Sequence, residues 1–202
     1  PLFNKYFPLD KYSGLNTFGG TFDSKLLDNS YHFFEKADIG WLILALEYLP
    51  RHRILEWAND ITSSYKDRKV IILTHSHVYE DNKLHGVEPV STDNLGIINS
   101  PEGANNGLQT WDRLISKHSN ISLVFNGHFL AIGRVTTKGN NGNIVHQMLA
   151  NYQDMEKGGS GYLRLAYCDP SKSQVQIKTY SPYLDSYLSD TSNEFTLENC
   201  NF

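Results

Sequence analysis

Two short apolar runs that each end abruptly in a histidine constrain this sequence most. Residues 70–77 read VIILTHSH and residues 123–130 read LVFNGHFL, so His75 and His128 each follow an aliphatic or aromatic run within a few residues. Apolar runs that are this short and rich in β-branched residues favour buried strands over helices. The sequence therefore predicts two buried strands, each with a histidine just beyond its carboxyl end.

Amphipathic helices are predicted directly before both of these strands. Residues 41–48 (WLILALEY) are apolar on both faces, which is typical of a central strand, and residues 51–65 then carry apolar side chains at intervals of three and four. Residues 69–73 complete a strand, helix and strand, which predicts a right-handed parallel crossover. Residues 106–118 form a second helical pattern before the strand at 121–125. The fold class predicted is therefore α/β.

The remaining segments predict one domain over residues 1–202. Residues 1–30 mix aromatic residues with Gly, Pro, Asp and Asn, which is typical of loops. Residues 76–105 lack periodicity, and an internal loop of that length is usually functional, so we expect it to border a site. Residues 161–182 contain two alternating runs around a turn, which predicts a β-hairpin.

Composition excludes several classes of partner. The chain has 18 basic and 22 acidic residues and a net charge of −4, which gives no electrostatic basis for binding nucleic acid or an anionic membrane. Its longest apolar run, residues 41–46, is far shorter than the roughly 20 residues of a transmembrane helix. A small-molecule partner fits this composition better.

The compartment stays open at the level of sequence. The chain begins at Pro1 and its first methionine is Met148, so we expect any export signal to lie upstream. A secreted or periplasmic location is compatible with this pattern. Cys168 and Cys200 are too few for a disulfide framework, and the sequence does not decide whether they pair.

The chemistry of imidazole suggests a metal site at the two strand ends. Ligands of parallel α/β sheets collect at the carboxyl ends of the strands, where His75 and His128 are predicted to lie. Neutral imidazole is a common ligand of Zn, Fe and Mn, so the two residues are candidates to share one ion. The alternative is that each histidine bonds only the backbone. His118, by contrast, is predicted on a solvated helix surface, and His85 in a loop.

At these residues the chain resembles a known family. VIILTHSH and LVFNGHFL are similar to the fourth and fifth motifs of the calcineurin-like metallophosphoesterases, a strand followed by His and a strand followed by Gly-His. The stretches FGGTF, DNSYHFF, WLILALEYLPRHRILEWAN and GNIVHQMLANYQ also resemble a bacterial-type branch of that superfamily. The resemblance covers the chain from about Phe7 to Leu197.

The resemblance implies a fold, an activity and a set of roles. It implies a four-layer α-β-β-α sandwich with two mixed sheets, and hydrolysis of a small-molecule phosphoester by two metal ions, commonly Fe, Zn or Mn. His75 and His128 become metal ligands in this reading. Three further residues are candidates for contacting the substrate or supporting the ligands: His77, Asn126 and His146.

Two departures from the family pattern limit what this chain does alone. The first three motifs, Asp-x-His, Gly-Asp-x-x-Asp and Gly-Asn-His-Asp/Glu, are absent, so the bridging aspartate and the general acid are expected upstream of Pro1. Leu130 occupies the second histidine position of the fifth motif. We therefore expect the carboxyl-terminal portion of the domain, incomplete or inactive in isolation. The alternative is a degenerate, non-catalytic domain that binds a protein or glycan through its long loop and exposed aromatic residues such as Tyr183 and Tyr187.

Overall fold

The computed structural model describes residues 2–86 and 102–202, which form two β-sheets and several helices. The large sheet contains β1 (Phe18–Thr21), β2 (Ser30–Lys36), β3 (Ile39–Ala45), β4 (Lys69–Leu73), β5 (Ile121–Asn126), β6 (Ile132–Lys138) and β7 (Ile144–Ala150). The small sheet contains β8 (Leu163–Asp169), β9 (Gln174–Ser181), β10 (Ser186–Leu188) and β11 (Phe195–Leu197). Within the described ranges, the α-helices are α1 (Leu2–Tyr6), α2 (His52–Ser64), α3 (Gly107–Arg113) and the short turn α4 (Glu156–Gly159). Turns of 3₁₀ helix in the same ranges span Leu9–Lys11, Ile115–Lys117 and Pro170–Lys172.

The large sheet is mixed, with a parallel centre. Its strand order is β1-β2-β3-β4-β5-β7-β6. Strands β3, β4, β5 and β7 run parallel to one another, whereas β1, β2 and β6 pair antiparallel at the two sides. The predicted parallel crossover from β3 to β4 is confirmed, and the two histidine-bearing strands, β4 and β5, are parallel neighbours. The carboxyl ends of the central strands consequently lie along one edge.

Helices cover one face of this sheet. Helix α2 buries Ile54, Leu55 and Ala58 in the same apolar cluster as Leu44 and Ile72 of the sheet. Full burial of an aliphatic side chain contributes about 1.5–3 kcal/mol, so this cluster supplies much of the stability of the layer. The helix predicted over residues 51–65 is therefore confirmed and amphipathic for the expected reason.

The start of α3 is fixed by its sequence. The side chain of Asn106 accepts a hydrogen bond from the Gln109 N–H at 2.9 Å, while the Gln109 side chain accepts one from the Asn106 N–H at 3.0 Å. This reciprocal capping satisfies two donors that a helix otherwise leaves unpaired. A side chain at Gly107 would collide with the carbonyl oxygen of His77, so the first turn of α3 lies directly against the segment that follows β4.

The small sheet packs on the opposite face. Val175 and Ile177 of β9 join Leu123 and Met148 of the large sheet in a second apolar cluster. Strand β9 pairs with β8 along one side and with β10 and β11 along the other, and the predicted hairpin over residues 161–182 is confirmed as β8 and β9. The fold is thus α/β with a large mixed sheet and a second sheet.

The prediction for the amino-terminal segment is corrected, and that for the long loop falls partly on residues outside the described ranges. The amino-terminal segment is not only loop, because it contains α1 and places Phe18–Thr21 in the large sheet as β1. Of the predicted long loop, residues 87–101 lie outside the described residues. The thiols of Cys168 and Cys200 are both free. Among the described helices, each is too short or too polar to cross a membrane.

Candidate functional site

The two predicted histidines meet at the carboxyl edge of the large sheet. Strands β4 and β5 are parallel neighbours, and His128 Nδ1 lies 3.0 Å from His75 Nε2. His75 is exposed and His128 is half-buried, so the pair is open to solvent on one side. The predicted juxtaposition of the two imidazoles is confirmed.

Backbone bonds beyond the strands hold this pair together. The Gly127 N–H donates to the His75 carbonyl at 3.1 Å, which continues the pairing of β4 with β5 past their ends. The chain then turns at His128, whose φ of 71° lies in the left-handed region. Residues other than glycine adopt this backbone region at an energetic cost, and residues held in such strained conformations cluster at functional sites. The strain here is located on a candidate ligand.

Tyr48 completes the wall of the site from the next strand. It follows β3, and its ring centroid lies 5.3 Å from that of His75 and 5.0 Å from that of His128. Its hydroxyl oxygen lies 3.4 Å from His128 Nε2. Leu49, the next residue, is buried and also left-handed, with a φ of 47°. Two residues in strained backbone therefore lie next to the same contact.

The electrostatic setting favours neutral imidazole. Partial burial lowers the pKa of His75, and the proximity of His128 lowers that pKa further because two adjacent positive charges repel. A neutral ring retains one unprotonated nitrogen, which is the form that binds metal. His75 is accordingly ready to act as a ligand near neutral pH.

The pair has the spacing of two ligands on one ion. With metal–nitrogen bonds of about 2.0–2.1 Å, adjacent ligand nitrogens lie about 2.9 Å apart in octahedral and about 3.3–3.4 Å apart in tetrahedral geometry. The separation of 3.0 Å lies between these two distances and is closer to the octahedral one. Among residues 2–86 and 102–202, however, no group of three or more His, Cys, Asp or Glu side chains is placed to hold an ion. The donor set fits a metal but is incomplete.

A cavity of about 880 Å³ opens beside His75. Its wall combines apolar side chains with the half-buried ion pair of Glu47 and Arg51. The residues that line it include Leu27, Ala45, Leu46, Glu47, Tyr48, Leu49, Arg51, Leu73 and Thr74. Burial raises the pKa of Glu47, but hydrogen bonds from Arg51 and Asn29 outweigh it, so the net pKa is lowered and the carboxylate stays charged. The volume is that of a small-molecule site.

Tyr48 and Glu47 also border the site, although neither was predicted to do so from the sequence. Both directly follow the apolar run of β3, which ends at the same edge as β4 and β5. Applying the same carboxyl-end argument to this third strand predicts their position. The order of the strands alone therefore places both residues at this edge, and no sequence motif is needed to predict it.

His77 and Asn126 do not face the imidazole pair. His77 is fully buried, with Nε2 2.6 Å from Gln147 Oε1 of β7, and burial lowers its pKa to about 4. Asn126 is bonded to backbone, accepting from the Val78 N–H at 3.0 Å and donating to the Val78 carbonyl at 3.1 Å. Both side chains are engaged inside the fold, which argues against contact with a substrate. The other role expected for them, support of the ligands, stays a prediction.

His146 lies on the other face of the sheet. It is buried on β7, with Nδ1 2.9 Å from the Thr136 hydroxyl and Nε2 3.0 Å from the Glu198 carbonyl. It pairs in register with Leu123, five residues before His128, which is about 16 Å along a strand. The expectation that His146 approaches the same pocket is therefore corrected.

Two other histidines are partly buried by their neighbours. His85 lies in a turn, as predicted, and is buried there, with Nδ1 3.3 Å from the Ser76 hydroxyl. His118 is half-buried rather than solvated, with Nε2 2.7 Å from Asn59 Oδ1. His118 precedes β5, so it lies about 20 Å from the carboxyl edge and is a suitable control residue.

Comparison with known proteins adds a distant relative. No family model matches the chain. The uncharacterized protein YvnB of Bacillus subtilis is 26% identical over 207 residues, which cover 96% of this chain and 14% of that protein. The chain thus corresponds to about one-seventh of the length of that relative. The similarity carries no activity with it.

Proposed function

We propose that this chain contributes two metal ligands, His75 and His128, to a calcineurin-like phosphoesterase centre that hydrolyses a small-molecule phosphoester. The observation that carries the proposal is the 3.0 Å separation of their ring nitrogens at the carboxyl edge of the sheet. We also propose that the helix layer and the two sheets belong to a four-layer α-β-β-α sandwich. Both proposals rest on the motif resemblance together with this geometry.

The residues of this chain have distinct tasks in such a centre. His75 and His128 hold one side of the metal site, and the cavity beside His75 receives the organic part of the ester. Two Fe, Zn or Mn ions, as the family resemblance implies, would supply Lewis acidity and a water of lowered pKa when bound. The neutral state of His75, which follows from its lowered pKa, keeps its lone pair available.

Two imidazoles are fewer than the three or four ligands that a stable site generally needs. We therefore propose that the bridging aspartate and the general acid come from residues outside the 202 of this sequence. The chain alone is then expected to bind divalent metal weakly and to hydrolyse phosphoesters at a negligible rate. Leu130, in place of a second histidine, weakens the site further.

Metal titration of this chain tests the assignment of the two ligands. Zn²⁺ and Mn²⁺ are titrated by calorimetry into the wild-type protein and into His75→Ala, His128→Ala and His118→Ala. Loss of either proposed ligand should abolish the weak binding, because one imidazole does not hold an ion. His118→Ala should bind as the wild type does. Unchanged binding in the first two variants would show that the assignment is wrong.

Catalysis is tested in the full-length protein. His75→Ala and His128→Ala should each lower hydrolysis of an aryl phosphate at least about 10²-fold, comparable with removal of other electrostatic catalytic groups. The fold should survive, which circular dichroism checks, because both rings lie at the rim of the core. Wild-type turnover in either folded variant would contradict a catalytic metal site at this edge.

A binding domain without catalysis is the second candidate, and the exposed aromatic residues of the small sheet favour it. Tyr183, in the turn between β9 and β10, is 63% exposed, and Tyr187 of β10 is 53% exposed, so both rings are available to a partner. In that case a glycan array or a pull-down should give a signal that Tyr183→Ala and Tyr187→Ala remove, while His75→Ala leaves it unchanged. The metal titration and this assay thus distinguish the two functions.

A further inference from the structure

We infer that Tyr48 is a positioning residue that holds the ring of His128 in the tautomer protonated at Nε2. This inference rests on the proposed function, because a metal bound through Nδ1 requires the proton of the neutral ring to be on Nε2. No motif singles out Tyr48. Its ring and its hydroxyl both lie against the imidazole pair.

The two nitrogens of His128 face different partners. Nε2 lies 3.4 Å from the Tyr48 hydroxyl oxygen, and Nδ1 lies 3.0 Å from His75 Nε2. A neutral imidazole carries one N–H, and the hydrogen bond of one nitrogen decides which role the other takes. The 3.4 Å contact allows either atom to donate. Binding of an ion shared with His75 requires the lone pair of Nδ1, so in the proposed arrangement Nε2–H is the donor, the tyrosine oxygen is the acceptor, and the Nδ1 lone pair is directed at His75.

This arrangement assigns a tautomer to His75 as well. Without metal, His75 Nε2–H donates to the lone pair of His128 Nδ1 across the 3.0 Å contact. A shared cation would require the lone pairs of both nitrogens, so His75 would then carry its proton on Nδ1 instead of Nε2, with no net release of a proton. His128 keeps its tautomer throughout because Tyr48 holds it. An outer partner of this kind orients a metal ligand.

The main chain around Tyr48 is held firmly enough for this task. The preceding residue, Glu47, accepts a hydrogen bond from Asn29 Nδ2 at 2.9 Å and a salt bridge from Arg51 at 2.7 Å. The hydroxyl of Thr74, next to His75, donates to the Glu47 carbonyl at 3.3 Å. The following residue, Leu49, is left-handed and buried. Anchors on both sides thus fix the tyrosine against the histidines.

The tautomer is tested by NMR in the metal-free chain. Long-range ¹H–¹⁵N correlation spectra of the histidine rings are recorded near neutral pH for the wild type, Tyr48→Phe and the control Tyr187→Phe. The phenylalanine keeps the ring contacts and removes only the hydroxyl. Wild-type His128 should show the Nε2–H tautomer and Tyr48→Phe a mixture of both, whereas Tyr187→Phe, on the small sheet, should match the wild type. If folded Tyr48→Phe shows the same His128 tautomer as the wild type, or if the wild-type ring is protonated at Nδ1, the inference is wrong.

Zinc titration separates this inference from the proposed function. If both hold, Tyr48→Phe should bind Zn²⁺ about 10-fold more weakly than the wild type, as expected for loss of an outer partner of a ligand. A changed tautomer in Tyr48→Phe, with no zinc binding even by the wild type, overturns the proposed function and supports the role of Tyr48. Zinc binding that is lost in His128→Ala but undiminished in Tyr48→Phe supports the proposed function and overturns the role of Tyr48.

Discussion

Single residues decide which histidines of this chain are accessible. His75 and His77 are two positions apart, and in a strand they would share one face. Strand β4 ends at Leu73, so this alternation no longer applies, and His75 is exposed while His77 is buried against β7. Burial without a second partner has a consequence for pH, since His77 Nδ1 has no hydrogen bond among the described residues.

We expect the buried ring of His77 to make the protein acid-sensitive. Burial lowers its folded-state pKa to about 4, below the unfolded value of 6.5, so the unfolded chain takes up the proton first as the pH falls. The stability is complete above the unfolded pKa and is lost as the pH drops toward the folded one, by about 2 kcal/mol between pH 7.5 and pH 5.

Urea unfolding in the presence of a chelator, at these two pH values, measures this loss. The variant His77→Gln removes the titrating group, so its stability should fall less between pH 7.5 and pH 5 than that of the wild type. An equal dependence on pH in both proteins would show that His77 does not control acid sensitivity.

The imidazole pair and the location of Tyr48 at the same edge were predictable from sequence, but the contacts of the other site residues were not. The pair follows from two apolar runs that end at the same edge of a parallel sheet. The contact of Tyr48 with the histidines also depends on the left-handed turn at Leu49, which the residue type at that position does not predict. Asn126 was assigned to the site because of its place in the motif, but its amide bonds the main chain of Val78.

At the scale of elements, Asn126 links β5 to the segment that follows β4. Its amide group makes three hydrogen bonds, to the N–H and carbonyl of Val78 and to the carbonyl of Gly127. Val78 is buried, so water does not replace these bonds readily. This side chain therefore keeps the two histidine-bearing segments adjacent.

Asn126→Ala should lower the free energy of unfolding by about 2–4 kcal/mol, because it leaves a buried N–H and a buried carbonyl unpaired. Asn141→Ala is the matched control. Asn141 is exposed and donates one bond, to the Lys117 carbonyl at 2.8 Å, so its loss should cost less than about 1 kcal/mol. Urea denaturation measures both, and equal losses would argue against a special role for Asn126.

Elements with clear periodicity were predicted, and those that depend on tertiary contacts were not. Helix α2 and strands β3, β4 and β5 have strong apolar patterns. Strand β1 contains Gly19 and Gly20, which weaken any strand signal, and it forms because β2 offers a pairing edge and the ring of Tyr31 packs closely over Gly19. A sequence pattern predicts which face of a segment is buried, but it does not predict which strand the segment pairs with.

At the scale of the whole molecule, two apolar clusters lie on opposite faces of one sheet. Leu149 belongs to the cluster on the helix side, and its neighbour Met148 belongs to the cluster between the sheets. Because adjacent residues of one strand serve both clusters, the two faces share a backbone. We therefore expect them to unfold together, as one domain.

Ile72→Ala and Ile177→Ala test this cooperativity. Both side chains are fully buried, one in each cluster, so each truncation should cost about 2–5 kcal/mol. Tryptophan fluorescence reports mainly the helix side and far-ultraviolet circular dichroism reports the whole chain. Their unfolding curves should coincide in both variants. A separate early transition in either protein would divide the chain into two domains.

The parallel alignment of β4 with β5 also determines where the chain tolerates changes in length. One residue inserted within β5 would displace the imidazole of His128 by about 3.3 Å. It would also move the side chains between the insertion and His128 to the opposite face of the sheet. The ring of His128 would then lose its partner across the strands. An insertion near Gly142, in the exposed turn between β6 and β7, alters neither strand. In the evolution of this chain, insertions and deletions should therefore accumulate in its turns and be removed from its central strands.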